Sequence, residues 1–392
     1  MTTQSAESNE REQRLDEVIA AYLQEVEAGR RPDRRALLEQ HPDLVEELAE
    51  FFADEDRFDR VVAPLAALAP PAAPAGDTAP EATGDGTGSA APEWSSELGP
   101  FSEWEEIAHG GMGVVYRCRD RALGRDLAVK VLHERYRGRA DMVRRFIEEA
   151  QVCGQLTHPG VVPVHGLGRL ADGRPFFTMK LVEGRTLQEL LAARATPAGE
   201  LHRYLPVFEQ VAQAVAYAHS RGVWHRDLKP LNVMVGAFGE VQVMDWGLAK
   251  VRRPGAAGEA EAAAAVRTVR TGADGESTQG GAVMGSYGFM APEQARGEIE
   301  QLDERCDVFG LGAVLCVILT GRPPFGGATR EEVLGQAKRG DVARASARLD
   351  ACGAEEELVG LAKACLAPAR EDRPRDAGVV ASRVAEYRAR VE

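Results

Sequence analysis

His225-Arg226-Asp227-Leu228-Lys229-Pro230-Leu231-Asn232, followed after a short apolar stretch by Asp245-Trp246-Gly247, is the segment that decides the fold of this chain. In-line transfer of a phosphoryl group needs a carboxylate to take the attacking hydroxyl's proton. It also needs oxygen ligands for the cations that neutralise a triphosphate, and a positive charge near the transferred group. Asp227 fits the first role, Asn232 with Asp245 the second, and Lys229 the third. Five such positions at fixed spacing arise by chance in a chain of this length about once in ten thousand trials. A polar turn between two strands is therefore the poorer reading, and the chemistry expected is phosphoryl transfer.

This arrangement resembles the catalytic loop and metal-binding motif of the eukaryotic-type protein kinases, including the bacterial serine/threonine members, and further motifs of that family follow in order. Ala108-His109-Gly110-Gly111-Met112-Gly113-Val114-Val115 is similar to the glycine-rich loop, with alanine at the first glycine position. Gly110 and Gly113 let backbone amides approach phosphate oxygens with no Cβ in the way. The resemblance implies that residues 108–113 bind ATP and that Val115 covers the adenine. Leu127-Ala128-Val129-Lys130-Val131-Leu132 is an apolar strand interrupted by one lysine, which needs an anionic partner. By resemblance Lys130 binds the α- and β-phosphates and is held by a glutamate of Arg145-Phe146-Ile147-Glu148-Glu149-Ala150. Glu149 is assigned and Glu148 is the alternative. Phe176-Phe177-Thr178-Met179-Lys180-Leu181-Val182 reads as a buried strand leaving the core. The resemblance places Met179 at the back of the adenine site, with backbone groups of Lys180 and Val182 meeting adenine, Ala128 above it, and Met234 or Val233 below.

Downstream, Ala291-Pro292-Glu293 is similar to the family's peptide-binding segment, with Arg373 as the expected buried ion-pair partner of that segment. Asp303 to Leu319 carries a helix apolar on nearly all faces, ended by Gly321 and Pro323-Pro324. It is shorter than the about 20 apolar residues that a bilayer span takes. By resemblance it is the central helix of the large lobe, with Asp307 anchoring the catalytic-loop backbone. The resemblance covers residues 101–388 and implies an α+β, bilobal protein-kinase-like fold, with a small β-rich lobe and a large helical lobe.

Lys229-Pro230 resembles the serine/threonine-specific catalytic loop. Gly285-Ser286-Tyr287-Gly288-Phe289-Met290 looks like the segment that meets the peptide, with Ser286 bridging base and lysine. Tyr287 and Trp246 depart from the residues common in the family. The activation segment, 245–293, is long, and an Ala- and Gly-rich insertion opens at Pro254 and reaches about Gly281. Thr268, Thr271, Ser277 and Thr278 lie in it as candidate autophosphorylation sites. Arg226 is suited to pair bidentately with such a phosphate.

The remaining sequence sets limits. The chain has 392 residues and is 44% hydrophobic, enough for one two-lobed core and a small accessory unit. A net charge of -14 argues against a nucleic-acid partner. Cys118, Cys153, Cys306, Cys316, Cys352 and Cys365 show no metal spacing, so a reducing, cytoplasmic setting is expected. The polar amino terminus carries no apolar secretory segment. Leu15, Val18, Ile19, Tyr22, Leu23 and Val26 repeat at helical spacing, and Leu44, Val45, Leu48, Phe51 and Phe52 form a second run. Residues 10–65 therefore read as a small helical region, and residues 66–100, rich in Ala, Pro and Gly, as a flexible tether.

Three function classes follow. The leading one is a serine/threonine kinase that uses ATP and Mg²⁺ on protein substrates and autophosphorylates, with self-association for the trans reaction. A nucleotide-sensing scaffold is suggested by Ala108 and the acidic insertion. A small-molecule kinase is the third, and is expected to lack Ala291-Pro292-Glu293.

Overall fold

The computed structural model describes residues 101–251 and 287–391, apart from 198–199 and 299–300, together with 33–45 and the single positions 14, 15, 18, 22, 48, 49, 52, 98 and 266. The tether and the activation-segment insertion lie otherwise outside the described residues. The chain divides into two compact units, residues 1–150 with 164–181, and 151–163 with 182–392.

The first unit is built on an antiparallel sheet of β1 (Phe101–His109), β2 (Gly113–Asp120), β3 (Arg125–Leu132), β4 (Val164–Arg169) and β5 (Pro175–Lys180), in the order β1-β2-β3-β5-β4. The period of two along β3 separates its side chains. Leu127, Val129 and Val131 join Leu98, Trp104, Cys118 and Leu170 in one core cluster. Leu132 packs with Phe177 and with Phe146 and Ala150 of a helix running Ala140–Gln155. Leu98 falls within the segment whose composition reads as tether, yet it is buried in the sheet's core.

Ahead of the sheet, α1 (Arg34–Gln40) is capped by Asp33, whose carboxylate accepts from the amides of Arg35 and Ala36. The helix of residues 140–155 is α2. Tyr22, Leu44, Leu48 and Phe52 form a small core against which Ala140, at the start of α2, packs. The four-residue spacing of 44, 48 and 52 puts them on one helical face, which leaves Val45 39% exposed.

The second unit is mainly helical. It contains α3 (Leu187–Ala193), α4 (Leu201–Ser220), α5 (Pro292–Arg296), α6 (Arg305–Thr320), α7 (Arg330–Arg339), α8 (Ala343–Asp350), α9 (Glu356–Cys365) and α10 (Ala377–Val391). Short strands frame the loops of residues 225–232 and 245–247: β6 (Arg185–Thr186) pairs β8 (Val233–Val235), which pairs β9 (Val241–Val243), and β7 (Val223–Trp224) pairs β10 (Lys250–Val251). α6 is buried along nearly its whole length and ends at Gly321 in the left-handed conformation, as its sequence predicts. Among the described residues no helix is long and apolar enough to cross a membrane.

Candidate active site

In the first unit, Lys130 stands on the face of β3 turned toward α2. Its Nζ donates to both carboxylate oxygens of Glu149, at 2.6 and 2.8 Å. The rings of Phe146 and Phe177 lie 6.0 and 5.8 Å from the ammonium, so the pair is seated against aromatic faces. Between Glu149 and Glu148, the carboxylate that takes the lysine is therefore Glu149.

The glycine-rich stretch is a hairpin turn. Ala108 and His109 belong to β1 and pair with Val115 and Val114, and the turn of Gly110, Gly111 and Met112 is closed by the Gly110 amide donating to Gly113 O at 2.9 Å. Ala108 lies outside the left-handed region, so the alanine introduces no strain. Gly113 is required by packing, since a Cβ there would sit 2.3 Å from Val131 O. At Gly111 a Cβ would meet no protein atom within 4 Å, and that side of the turn is open. Val115 pairs directly with Lys130, so the two share a face of the sheet, and Ala128 is on that face as well. Met179 is opposite Ala128, while Lys180 pairs with Leu127 and has an exposed side chain. Val182 follows β5 and is half-buried.

The second unit holds the loop of residues 225–232. Lys229 Nζ donates to Asp227 Oδ2 at 2.6 Å, and Asn232 Nδ2 donates to Asp227 Oδ2 at 3.1 Å and to Asp227 O at 2.8 Å. His225 is fully buried and its tautomer is fixed by its partners. Nε2 faces the Met244 carbonyl at 2.9 Å and must carry the proton, whereas Nδ1 accepts from the Asp227 amide at 3.2 Å. Asp307 Oδ2 accepts from the amide of His225 at 2.8 Å and its Oδ1 from that of Arg226 at 2.7 Å. Burial alone would raise the Asp307 pKa. The hydrogen bond from His219, the fields of His219 and His225, and the Arg226 amide together outweigh it and hold the carboxyl below its ordinary range.

Arg226 and Asp245 both have positive φ, 69° and 61°, which is strained backbone for residues with a side chain. The strain is fixed locally: Met244 N donates to Asn232 O at 2.8 Å, and Trp246 Nε1 donates to Val243 O at 3.1 Å. Asp245 is exposed. Because both bonds of the Asn232 amide nitrogen go to Asp227, its side-chain oxygen is the atom left to face a cation. An amide oxygen and an exposed carboxylate are hard donors that fit Mg²⁺, which is bound by few protein ligands together with substrate phosphates.

Glu293 and Arg373 form a buried bidentate pair, with Nη1 to Oε1 at 2.6 Å and Nη2 to Oε2 at 2.9 Å. The remaining guanidinium protons go to the carbonyls of Ala367, Arg305 and Pro368, so all five donors are used. Ser286 and the four candidate phosphosites lie outside the described residues.

Residues 101–384 match the protein kinase domain. The chain belongs to the protein kinase family. The kinase domain is 35% identical over 240 residues to the serine/threonine-protein kinase PknD of Protochlamydia amoebophila, covering 58% of this chain and 24% of the relative. It is 38% identical over 231 residues to the DNA damage-responsive serine/threonine-protein kinase RqkA of Deinococcus radiodurans, covering 59% and 31%. It is 36% identical over 268 residues to the serine/threonine-protein kinase PknB of Mycobacterium tuberculosis, covering 66% and 38%. The chain thus spans between about a quarter and two fifths of the length of these relatives.

Two residues of this kinase domain serve the site without a readable motif. Gln294 donates to Arg226 O at 2.8 Å and so ties α5 to the catalytic loop. His219 presents Nε2 to Asp307 Oδ2 at 2.9 Å, while its Nδ1 accepts from the Ala377 amide at 3.3 Å. The only sequence signal for either is a polar side chain among apolar neighbours, and for Gln294 its position directly after Ala291-Pro292-Glu293.

Proposed function

We propose that this chain is a serine/threonine protein kinase that transfers the γ-phosphate of ATP to protein hydroxyls, with Mg²⁺ as the cation. The observation that carries the reading is the state of Asp227. Its Oδ2 is committed to Lys229 and Asn232, and among the described residues its Oδ1 carries no hydrogen bond, which leaves a basic oxygen for an incoming hydroxyl proton. The acceptor oxygen forms a bond to the γ-phosphorus as the bond to the β-bridging oxygen breaks, ADP leaves, and the proton goes to Asp227. Lys229, 2.6 Å from that carboxylate, supplies positive charge beside the transferred group. Lys130, positioned by Glu149, binds the α- and β-phosphates. Asn232 and Asp245 hold Mg²⁺, which neutralises phosphate charge when bound.

Lys229-Pro230 supports serine and threonine over tyrosine as acceptors. The Ala291-Pro292-Glu293 segment, built into α5 and anchored by Arg373, favours protein substrates over small molecules. Ala108 sits unstrained in β1, so of the two features that suggested a scaffold, Ala108 and the acidic insertion, the first no longer favours it. All six cysteines are free, which supports a reducing, cytoplasmic setting. Autophosphorylation at Thr268, Thr271, Ser277 or Thr278, in trans between associated copies, is the regulation we propose, with Arg226 receiving the phosphate.

The test is transfer of label from [γ-³²P]ATP, with Mg²⁺, to the purified chain and to a generic serine/threonine substrate, beside Asp227→Asn and Asp245→Asn. Label in the parent alone is expected. A parent that binds ATP and transfers nothing would sink the kinase reading and favour the scaffold.

A further inference from the structure

The turn of the glycine-rich stretch is gripped from outside by one short segment, His133 to Arg135, that no motif accounts for. His133 is 9% exposed and follows β3 directly. Its Nε2 lies 2.7 Å from Gly110 O, and its backbone amide donates to Met112 O at 3.0 Å. Between those two carbonyls, Gly111 O accepts from Arg135 Nη2 at 3.1 Å. Three consecutive carbonyls of the turn are thus all bonded to the same segment. Since the Gly110 oxygen can only accept, the His133 Nε2 carries the proton.

A trans peptide is planar, with its N–H pointing opposite to its C=O. Fixing the carbonyls of Gly110, Gly111 and Met112 toward His133 and Arg135 therefore directs the N–H groups of Gly111, Met112 and Gly113 the other way. Successive amides with a common direction make an anion-binding concavity. The open space beside Gly111 is where an anion can approach them. Without the grip, the Gly110–Gly111 peptide has little to stop it turning, because glycine tolerates both orientations, and a turned peptide would present an oxygen to a phosphate oxygen. The grip is itself braced. The His109 ring lies 4.5 Å from that of His133, the Tyr136 ring 6.2 Å from it, and the Arg135 guanidinium 4.9 Å over Tyr136.

We propose that His133 and Arg135 are positioning residues for the kinase reaction: they set the direction of the glycine-rich amides and thereby the affinity for the nucleotide phosphates. The proposal rests on the functional reading above and adds to it residues that touch neither substrate nor metal.

The experiment uses the full chain carrying His133→Leu, His133→Gln or Arg135→Ala. It reads KM for ATP and kcat, direct MgATP binding, thermal midpoint, and hydrogen exchange of the peptide covering 108–116. His133→Leu is expected to raise KM about tenfold with little change in kcat, the scale of one lost hydrogen bond on affinity. Exchange of the Gly110 amide, which closes the turn onto Gly113 O, is expected to speed up while the thermal midpoint stays near the parent's. His133→Gln, whose amide restores a donor, recovers most of the affinity, and Arg135→Ala, at an exposed site, shows a smaller shift of the same kind. Unchanged KM and exchange in Arg135→Ala and in a folded His133→Leu overturn the proposal and leave the kinase reading standing. Should His133→Leu not fold, Arg135→Ala and His133→Gln decide by the same measures. A parent that binds no MgATP overturns both.

Discussion

Asp307 and Arg226, 81 residues apart, meet through a hydrogen bond of 2.7 Å from the Arg226 amide to Asp307 Oδ1, at the residue whose backbone is held at φ 69°. A strained peptide persists only where its surroundings over-determine it, and here a buried carboxylate does so, with His219 on its far side. The sign of its pH dependence follows from the depressed pKa. The Asp307 contribution to stability is fully present above the ordinary value of 3.8 and is lost as pH falls below that through the folded-state value. Asp307→Asn places amide protons against backbone donors and is expected to lower stability by about 3 kcal/mol at neutral pH. Urea unfolding of parent and variant at several pH values checks both: their difference should shrink on acidification below 3.8. A difference that is flat in that range would be contrary to the assignment.

Glu149→Gln keeps the shape of the side chain and removes the charge that Lys130 meets at 2.6 Å. The ammonium, only 13% exposed, then has no carboxylate at that position to orient it. We expect kcat/KM for ATP to fall about ten- to a hundredfold, the range for a charge-assisted hydrogen bond, measured by steady-state kinetics at fixed peptide substrate.

Gly111 and Gly113 are expected to respond to alanine in opposite ways. Gly113→Ala forces a Cβ to within 2.3 Å of the Val131 carbonyl, so it should destabilise the sheet by about 1–3 kcal/mol. Gly111→Ala meets no protein atom and should change stability by less than about 1 kcal/mol. Its methyl group faces the open side of the turn, and ATP affinity should drop by roughly tenfold. Thermal melts paired with nucleotide titrations separate the two.

Arg373→Ala leaves Glu293, a carboxylate 5% exposed, without this partner and removes the guanidinium's hydrogen bonds to three carbonyls. A loss of about 3–5 kcal/mol is expected. Glu293→Met combined with Arg373→Leu should recover only part of it, because the guanidinium's bonds to the carbonyls of Ala367, Arg305 and Pro368 are still missing. Chemical unfolding of the two singles and the double gives the coupling directly.

Much of the site could be read from the sequence because catalysis constrains local spacing. Asp227, Lys229, Asn232 and Asp245 are legible as a string, and Lys130 stands out as the single charge in an apolar strand. What the string does not encode is how a loop is held. Asp307 could be placed only by resemblance, and nothing near His219 in sequence points to Ala377, 158 residues away. α4 begins at Leu201 and carries Pro206 in its second turn, where a proline removes one backbone hydrogen bond. The face made by Val207, Phe208, Val211 and Val215 is buried, and that packing outweighs the one lost backbone hydrogen bond. In the amino-terminal region the apolar runs were legible, whereas α1 lies between them, in a stretch with no buried residue of its own.

The hydrogen-bonded path from Ala377 through His219 and Asp307 to the catalytic loop gives synthesis of the chain an order. During translation, residues 225–232 leave the ribosome well before residue 377, so the loop emerges without the contact that completes its support. His219 can be fully satisfied only when α10 arrives and buries Val380 and Val384, with Arg388 reaching Glu209 of α4 at 2.5 Å. A nascent chain therefore completes the support of residues 225–232 only after the residues of α10 have been made.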